Sequence, residues 1–244
     1  MKIKGKRVVI TGGSKGLGRA LAMRFADEGA LLALCARSAD DLNRVGLDLS
    51  IRGTHCIVSV CDIADTEQVS QFASMVLADF GAVDVLINNA SLLGPRASIL
   101  EWSKPTWDRV IDVNVNGLFC VTKAFLPSML SQRSGSIINV SSSVGRVGKR
   151  FWGAYATSKF ALEGFTQVIA DEVRGSGVRV NSVDPGAMDT DMRHAAYPDE
   201  DRSRLAPPSA VTDIFVYLAS DESRGSTGKH FDAQEFKQHH KETA

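Results

Sequence analysis

The sequence predicts an α/β fold: one doubly wound parallel sheet with helices on both faces. Three observations point there. Short apolar runs alternate with helix-patterned segments along the chain. Those runs are near-continuous rather than alternating, as in strands buried on both faces. Glycines crowd the turn between the first strand and the first helix. The chain has 244 residues, and no repeat, low-complexity stretch or linker divides it, so 1–244 is expected to be a single domain.

The first half gives the elements in order. RVVITGG (7–13) is β-branched and ends in glycines, which suits a first strand. In GRALAMRFADEGA (18–30), Leu21, Ala22, Phe25 and Ala26 form one helical stripe, and Gly29 suits the helix end. LLALCAR (31–37) is a second strand, 39–50 a charged helix, and THCIVSVCDI (54–63) a third strand. TEQVSQFASMVLADFG (66–81) sets Val69, Phe72, Ala73, Val76, Leu77 and Phe80 on one side of a helix, and VDVLINNA (83–90) follows as a fourth strand.

The second half continues the theme. A helical region is expected at 105–131, a strand at 135–142, a helix at 154–174 and a strand at 177–183. A shorter helix at 209–220 and an extended piece at 228–236 follow. The one long irregular segment, 186–208, is rich in charge and proline, which marks a substrate loop or lid. Residues 237–244, with His239 and His240, read as a solvated tail.

Composition narrows the function classes. Lys+Arg and Asp+Glu number 28 each, so the balanced charge favours neither nucleic acid nor an anionic membrane. No apolar run approaches the length of a membrane span. Only three apolar residues, Val8, Val9 and Ile10, follow the basic start before glycines intervene, too few for the hydrophobic part of a signal peptide. Cys35, Cys56, Cys61 and Cys120 form no CxxC pair or Cys/His ligand cluster. Reduced thiols in a cytoplasmic protein without a metal are expected.

Two stretches carry chemistry. TGGSKGLG (11–18) opens the first helix, and Gly12, Gly16 and Gly18 let backbone turn sharply and approach a ligand closely. The helix N-terminus then offers free N–H groups to phosphate. The spacing is GxxxGxG rather than GxGxxG. In GAYATSKFAL (153–162), Tyr155 precedes Lys159 by four residues, which sets a phenol and an ammonium on one helical face. An adjacent ammonium favours phenolate and brings a pKa near 10 closer to neutral.

Four features stand in order: the glycine turn, NNA (88–90), NVSSS (139–143) and YATSK (155–159). Together they resemble the short-chain dehydrogenase/reductase family in its single-domain, Rossmann-like branch, over nearly the whole chain. The resemblance implies Tyr155 as catalytic acid/base and Lys159 as the group that holds the nicotinamide ribose and lowers the tyrosine pKa. It implies Ser142 as the serine that orients the substrate carbonyl, and Asn114 in VNVNG as the holder of a water in the proton relay. The implied cofactor site takes in Gly12, Ser14, Lys15, Gly16, Leu17, Gly18, Arg37, Asp62, Ile63, Asn89, Met188 and Thr190, together with Tyr155 and Lys159. Asp62 would meet the adenine, and Met188 and Thr190 belong to DPGAMDT (184–190), which borders the nicotinamide. A homotetramer, or a homodimer, paired through the long helices 105–131 and 154–174 is also implied. The second of these carries Phe160, Leu162, Phe165, Val168, Ile169 and Val173.

The expected activity is hydride transfer between NADP(H) and a carbonyl or secondary alcohol. NADP(H) is expected over NAD(H) because Ala36 stands where a ribose-binding carboxylate would fall, followed by Arg37. Lys15 can reach the same phosphate, while Asp40 and Asp41 temper the preference, since either could swing toward the ribose. The rival reading is a catalytically silent scaffold or cofactor sensor of the same fold, which the retained Tyr155 and Lys159 disfavour. Epimerase or dehydratase relatives tend to be longer and to use a different glycine spacing. Loops 91–104, 144–154 and 187–206 are expected to line the substrate pocket. They offer Leu92, Leu93, Val144, Phe151, Trp152, Met188 and Met192, with Arg96, Arg146, Lys149 and Arg150 among them. Three positions depart from the family pattern. Ser91 replaces the glycine of NNAG, DPG replaces NPG, and the last strand lacks a glycine pair.

Overall fold

The computed structural model describes residues 1–236, so the 237–244 tail and its two histidines lie outside the described residues. The strands are β1 (Arg7–Thr11), β2 (Leu31–Ala36), β3 (Cys56–Val60), β4 (Val85–Asn88), β5 (Gly135–Val140), β6 (Val178–Asp184) and β7 (His230–Asp232). Among the described residues they form one seven-stranded sheet in the order β3-β2-β1-β4-β5-β6-β7, and every pairing is parallel.

Alternate residues of each strand feed two cores. Val8, Ile10, Leu32 and Leu34 face Leu21 and Phe25 of α1 (Gly16–Asp27) and Phe215 of α8 (Asp213–Ala219). Val9, Ala33, Cys35 and Leu86 face the other way, toward Phe72 of α3 (Thr66–Phe80) and Phe125 of α5 (Leu118–Ser131). Both faces are therefore covered, which is why the strands read as unbroken apolar runs. The remaining helices are α2 (Ala39–Ile51), α4 (Lys104–Ile111), α6 (Gly153–Glu172) and α7 (Asp191–Ala196). Local chemistry sets several ends: Asp65 accepts from Glu67 and Gln68 N–H at the start of α3, and Ser103 caps α4.

Four features differ from the sequence reading. The 105–131 helix is not uniform: residues Asp112–Gly117 form a π-turn between α4 and α5. The run Lys104–Ser131 is also long and apolar enough, by length and composition, to cross a membrane, although no purely apolar run of that length exists. Its Val110, Val113, Val121, Phe125 and Met129 pack inside the protein instead. Segment 186–208 is not irregular throughout, because Thr190 caps α7 by accepting from Arg193 N–H and Met188 bridges to Ala206. The expected helix at 209–220 begins as a 3-10 turn, Pro208–Val211, before α8. Without its glycine pair, β7 still adds to the sheet edge, with Ser182 opposite His230.

The chain order reverses at β1, which lies between β2 and β4. The ends of β1, β4, β5 and β6 thus open onto one crevice, the switch point where this architecture binds ligands.

Candidate active site

The glycine turn follows β1 directly. Gly12 and Gly16 have φ of 66° and 51°, values that favour glycine. A Cβ on Gly18 would lie 2.1 Å from Gly12 O and 2.7 Å from Asn89 Nδ2. Asn89 holds the turn closed by donating from Nδ2 to Thr11 O (2.9 Å) and Gly12 O (3.1 Å). Lys15 leads into α1 without a side-chain cap, and the first helical turn carries no acidic residue. The N-terminus of α1 is thus available to an anionic group.

A cavity of about 270 Å³ opens beside this turn. Gly12, Lys15, Leu17 and Asn89 line one end, Ser142, Tyr155 and Lys159 the middle, and Met188 and Thr190 the loop side. Leu93, Trp152, Met192, Arg193 and Ala196 complete the substrate end. Among the predicted wall residues, Leu93, Trp152, Met188 and Met192 are in place. Val144 is buried in a small cluster with Trp152 and Ala156, and Phe151 is exposed, so neither forms the wall. Leu92, Lys149 and Arg150 also stay off it. Arg96 stacks on Trp152 and Tyr197 and donates to Ala196 O (2.7 Å), tying the loop after β4 to the end of α7.

Tyr155 and Lys159 sit on the first turns of α6, both buried. Lys159 Nζ lies 5.5 Å from the Tyr155 ring centre and donates to Val140 O (2.7 Å). Burial brings its pKa from 10.5 down to about 8, partly opposed by the Asp184 and Glu163 carboxylates. The expected lowering of the tyrosine is not found. Burial, then the Asp184 carboxylate, push Tyr155 up to about 12, against weaker downward pulls from the Ser142 and Ser91 hydroxyls. The sequence could show the Lys159 charge but not the walls that dehydrate the phenol.

Asn114 lies in the π-turn and is buried. Its Oδ1 accepts from Leu92 N–H (2.7 Å), while Nδ2 donates to Leu92 O and Ser158 Oγ, both at 2.9 Å. The π-turn therefore stitches the loop after β4 to α6, and Asn114 lies behind the cavity wall rather than in it. Asp62 ion-pairs with Arg109 and accepts from Ala64 N–H (3.1 Å). Ile63 packs on Gly117, and Arg37 is exposed at the end of β2. Ser14 is half-buried within the turn. Lys15, expected to reach a phosphate, ion-pairs with Asp41 at 2.8 Å, so one of the two aspartates expected to turn toward the ribose holds Lys15 instead.

Two groups gain a place that motif reading did not give them. Asp184 ends β6, is 4% exposed, and accepts from Gly186 N–H (2.9 Å). Burial raises its carboxyl pKa, and Arg146 stands 3.8 Å away. Behind it, Glu163 accepts from Ser141 and from Ser182 Oγ (2.7 Å) and contacts His230 Nδ1 (3.0 Å). DPG in place of NPG was the sequence signal for Asp184. Nothing in sequence spacing links Glu163 to His230.

Ser91 stands in the place of the family glycine without left-handed backbone. A glycine-like positive φ at that position would strain a serine, yet Ser91 is not among the residues with positive φ. Among the described residues, no group of three or more His, Cys, Asp or Glu side chains is arranged for a metal.

Comparison with known proteins identifies the family. The family model described as short chain dehydrogenase matches residues 6–201. The uncharacterized oxidoreductase YciK of Escherichia coli K12 is 38% identical over 230 residues, 93% of this chain and 91% of that protein. The 3-oxoacyl-[acyl-carrier-protein] reductase FabG of Thermotoga maritima is 35% identical over 242 residues, 94% of this chain and 96% of that protein. A crystal structure of a short chain dehydrogenase from Shigella flexneri 2a str. 301, complexed with NADP, superposes with a TM-score of 0.92 at 37% identity, covering 96% of this chain and 99% of that one. The chain belongs to the short-chain dehydrogenase family of oxidoreductases.

Proposed function

We propose that this protein is an NADP(H)-linked oxidoreductase that interconverts a carbonyl and a secondary alcohol, with Tyr155 as acid/base. The carrying observation is one cavity of about 270 Å³ that gathers Ser142, Tyr155 and Lys159 next to a glycine turn at the switch point of the sheet. The residues fit the cofactor. Gly18 packs so closely on Gly12 O and Asn89, and Gly12 on Asn89 and Ala90, that a side chain at either would push the turn open, and the α1 N-terminus has no competing acid. Arg37 and Lys15 are the groups for the ribose phosphate, with Asp41 as the partner Lys15 must release. Met188 and Thr190 would border the nicotinamide end, and Asp62 and Ile63 the adenine end.

The bound nicotinamide supplies or accepts the hydride and, when oxidised, brings a positive charge that favours phenolate. The chain's own groups do the rest. Tyr155, held near 12, keeps its proton at neutral pH and stands ready to give it to a carbonyl oxygen that gains charge. Ser142 donates to the same oxygen and stabilises that charge as it forms. Lys159, at about 8, is mostly protonated at neutral pH and sets a cation beside the phenol. Asn114 keeps the cavity wall in register by clamping Leu92 to α6.

The reductase name of the T. maritima relative favours reduction as the working direction. Leu93, Trp152, Met188, Met192 and Ala196 suit a substrate with an apolar or aromatic body. We read the chain as one catalytic domain whose 186–208 segment contacts substrate. Its free thiols suit a cytoplasmic setting, and its exposed Phe119, Phe160 and Val168 suit a homotetramer.

The test is NADPH oxidation with a panel of ketones, aldehydes and diketones, on wild type and Tyr155→Phe. Turnover is expected to fall about 10³-fold in the variant while cofactor still binds. A silent scaffold predicts no turnover in either protein. A Phe variant with near wild-type rates removes Tyr155 from the chemistry.

A further inference from the structure

Ser91 follows β4, and its neighbours on both sides are pinned. Ala90 N–H donates to Thr11 Oγ1 at 3.0 Å. Leu92 is held through both its N–H and its C=O by Asn114. The backbone between these clamps has little freedom, so the direction of the Ser91 side chain is set by the fold. That side chain lines the cavity together with Ser142 and Tyr155. Its Oγ is sealed from solvent and has no well-formed hydrogen-bond partner, although it lies close enough to the phenol to act on it. A buried hydroxyl without a partner costs free energy. Of the polar groups lining this cavity, the Tyr155 oxygen is the one on which Ser91 already acts.

We propose that Ser91 is a second hydroxyl of the reaction centre, donating to the Tyr155 oxygen when that oxygen carries negative charge. This rests on Tyr155 being the acid/base. A hydroxyl offers one donor and rotates to suit, so Ser91 can turn toward the phenolate and away from it within one cycle. Ser142 is then free to stay on the substrate oxygen while Ser91 holds the tyrosine.

The other charged groups around Tyr155 are accounted for. Lys159 is on its own helix, and Asp184 ends β6 with Arg146 behind it. Glu163 and His230 lie beyond Lys159. On the substrate side, Arg96 and Arg193 stack on Tyr197, next to Trp152. None of these changes when only the Ser91 hydroxyl is removed, so a displaced titration reports that hydroxyl.

The experiment compares wild type, Ser91→Ala, Ser91→Thr and Tyr155→Phe. Two quantities are read: the pH dependence of kcat/KM for oxidation of a secondary alcohol, and ultraviolet titration of tyrosinate in the NADP⁺ complex. The Tyr155→Phe titration identifies the signal of Tyr155 among the three tyrosines. Losing a hydrogen bond to a charged oxygen is expected to move both titrations upward by about one pH unit, and to lower kcat/KM below the limb about tenfold. Ser91→Thr keeps the hydroxyl and is expected to restore both. A purely spacing role would alter KM or thermal stability and leave both titrations in place. Unmoved titrations in Ser91→Ala overturn the proposal. An active Tyr155→Phe overturns instead the reading on which it rests.

Discussion

Gly18→Ala tests whether the glycine turn is held as tightly as its contacts imply. The new methyl would sit 2.1 Å from Gly12 O, 2.9 Å from Gly12 C and 2.7 Å from Asn89 Nδ2. The first two contacts are with backbone, so no side-chain rotation relieves them. Gly12 must shift, and the shift separates Asn89 Nδ2 from Thr11 O and Gly12 O. Two hydrogen bonds at about 1 kcal/mol each, plus overpacking of about 1–3 kcal/mol, give a loss of about 3–5 kcal/mol. For a domain of this size that lowers Tm by roughly 6–20 °C. Gly164→Ala is the control: that mid-helix position of α6 has nothing within 4 Å of its Cβ. Removing helical glycine there is expected to be neutral or to stabilise by up to about 1 kcal/mol. The assay is thermal and urea denaturation of both variants, with NADP(H) titration followed by tryptophan fluorescence. Gly18→Ala is expected to melt early and bind cofactor at least tenfold more weakly, about 1.4 kcal/mol. A Gly18→Ala protein with wild-type Tm and wild-type affinity would refute the idea of a rigid turn shaped for close approach.

Three further outcomes are expected. Lys159 has a folded pKa of about 8 against an ordinary 10.5, so between these values the unfolded chain holds more protons. Stability then rises with pH across that window by up to about 3 kcal/mol, and Lys159→Met loses the rise. Urea titrations from about pH 7 to 10 read the difference between the two proteins, and a flat difference refutes the assignment. The opposite displacement of Tyr155 acts only above about 10. Wild type is expected to favour NADPH over NADH by about two orders of magnitude in kcat/KM, and Arg37→Ala with Lys15→Ala to lose most of that preference. Equal efficiencies in the wild type would remove both residues from cofactor choice. Light scattering is expected to show four times the 26.3 kDa chain mass, and Phe160→Glu with Val168→Glu a smaller species. A monomeric wild type would refute the helix pairing.

What was legible came from short-range chemistry. Unbroken apolar runs marked β1, β2 and β4 because both of their faces are covered. The Tyr155–Lys159 spacing placed two groups on one face of α6 because the helical period is local geometry. Both strand ends and helix ends fell within a few residues of expectation, since caps such as Asp65 act within one turn. The helix face proposed for subunit pairing is only partly apolar on the outside. Phe160 and Val168 are exposed, but Leu162 on the same helix and Val173 just past its end are buried.

The sequence by itself determined the order of elements, the glycine turn and the set of hydroxyl and ammonium groups, because each depends on neighbours a few residues away. Only the tertiary structure decided their electrostatics and reach. DVNVNG reads as ordinary helix, and its π-turn follows from Asn114 being tied to Leu92, 22 residues earlier, and to Ser158, 44 later. Lys15 meets Asp41 only because α1 and α2 open side by side. The rise of Tyr155 to about 12 comes from burial under walls drawn from distant loops and from Asp184 on another strand. The same packing turns Ser91 from a departure in a motif into a sealed hydroxyl beside the phenol. Burial and charge proximity are sums over residues far apart in sequence, so no local pattern could carry them.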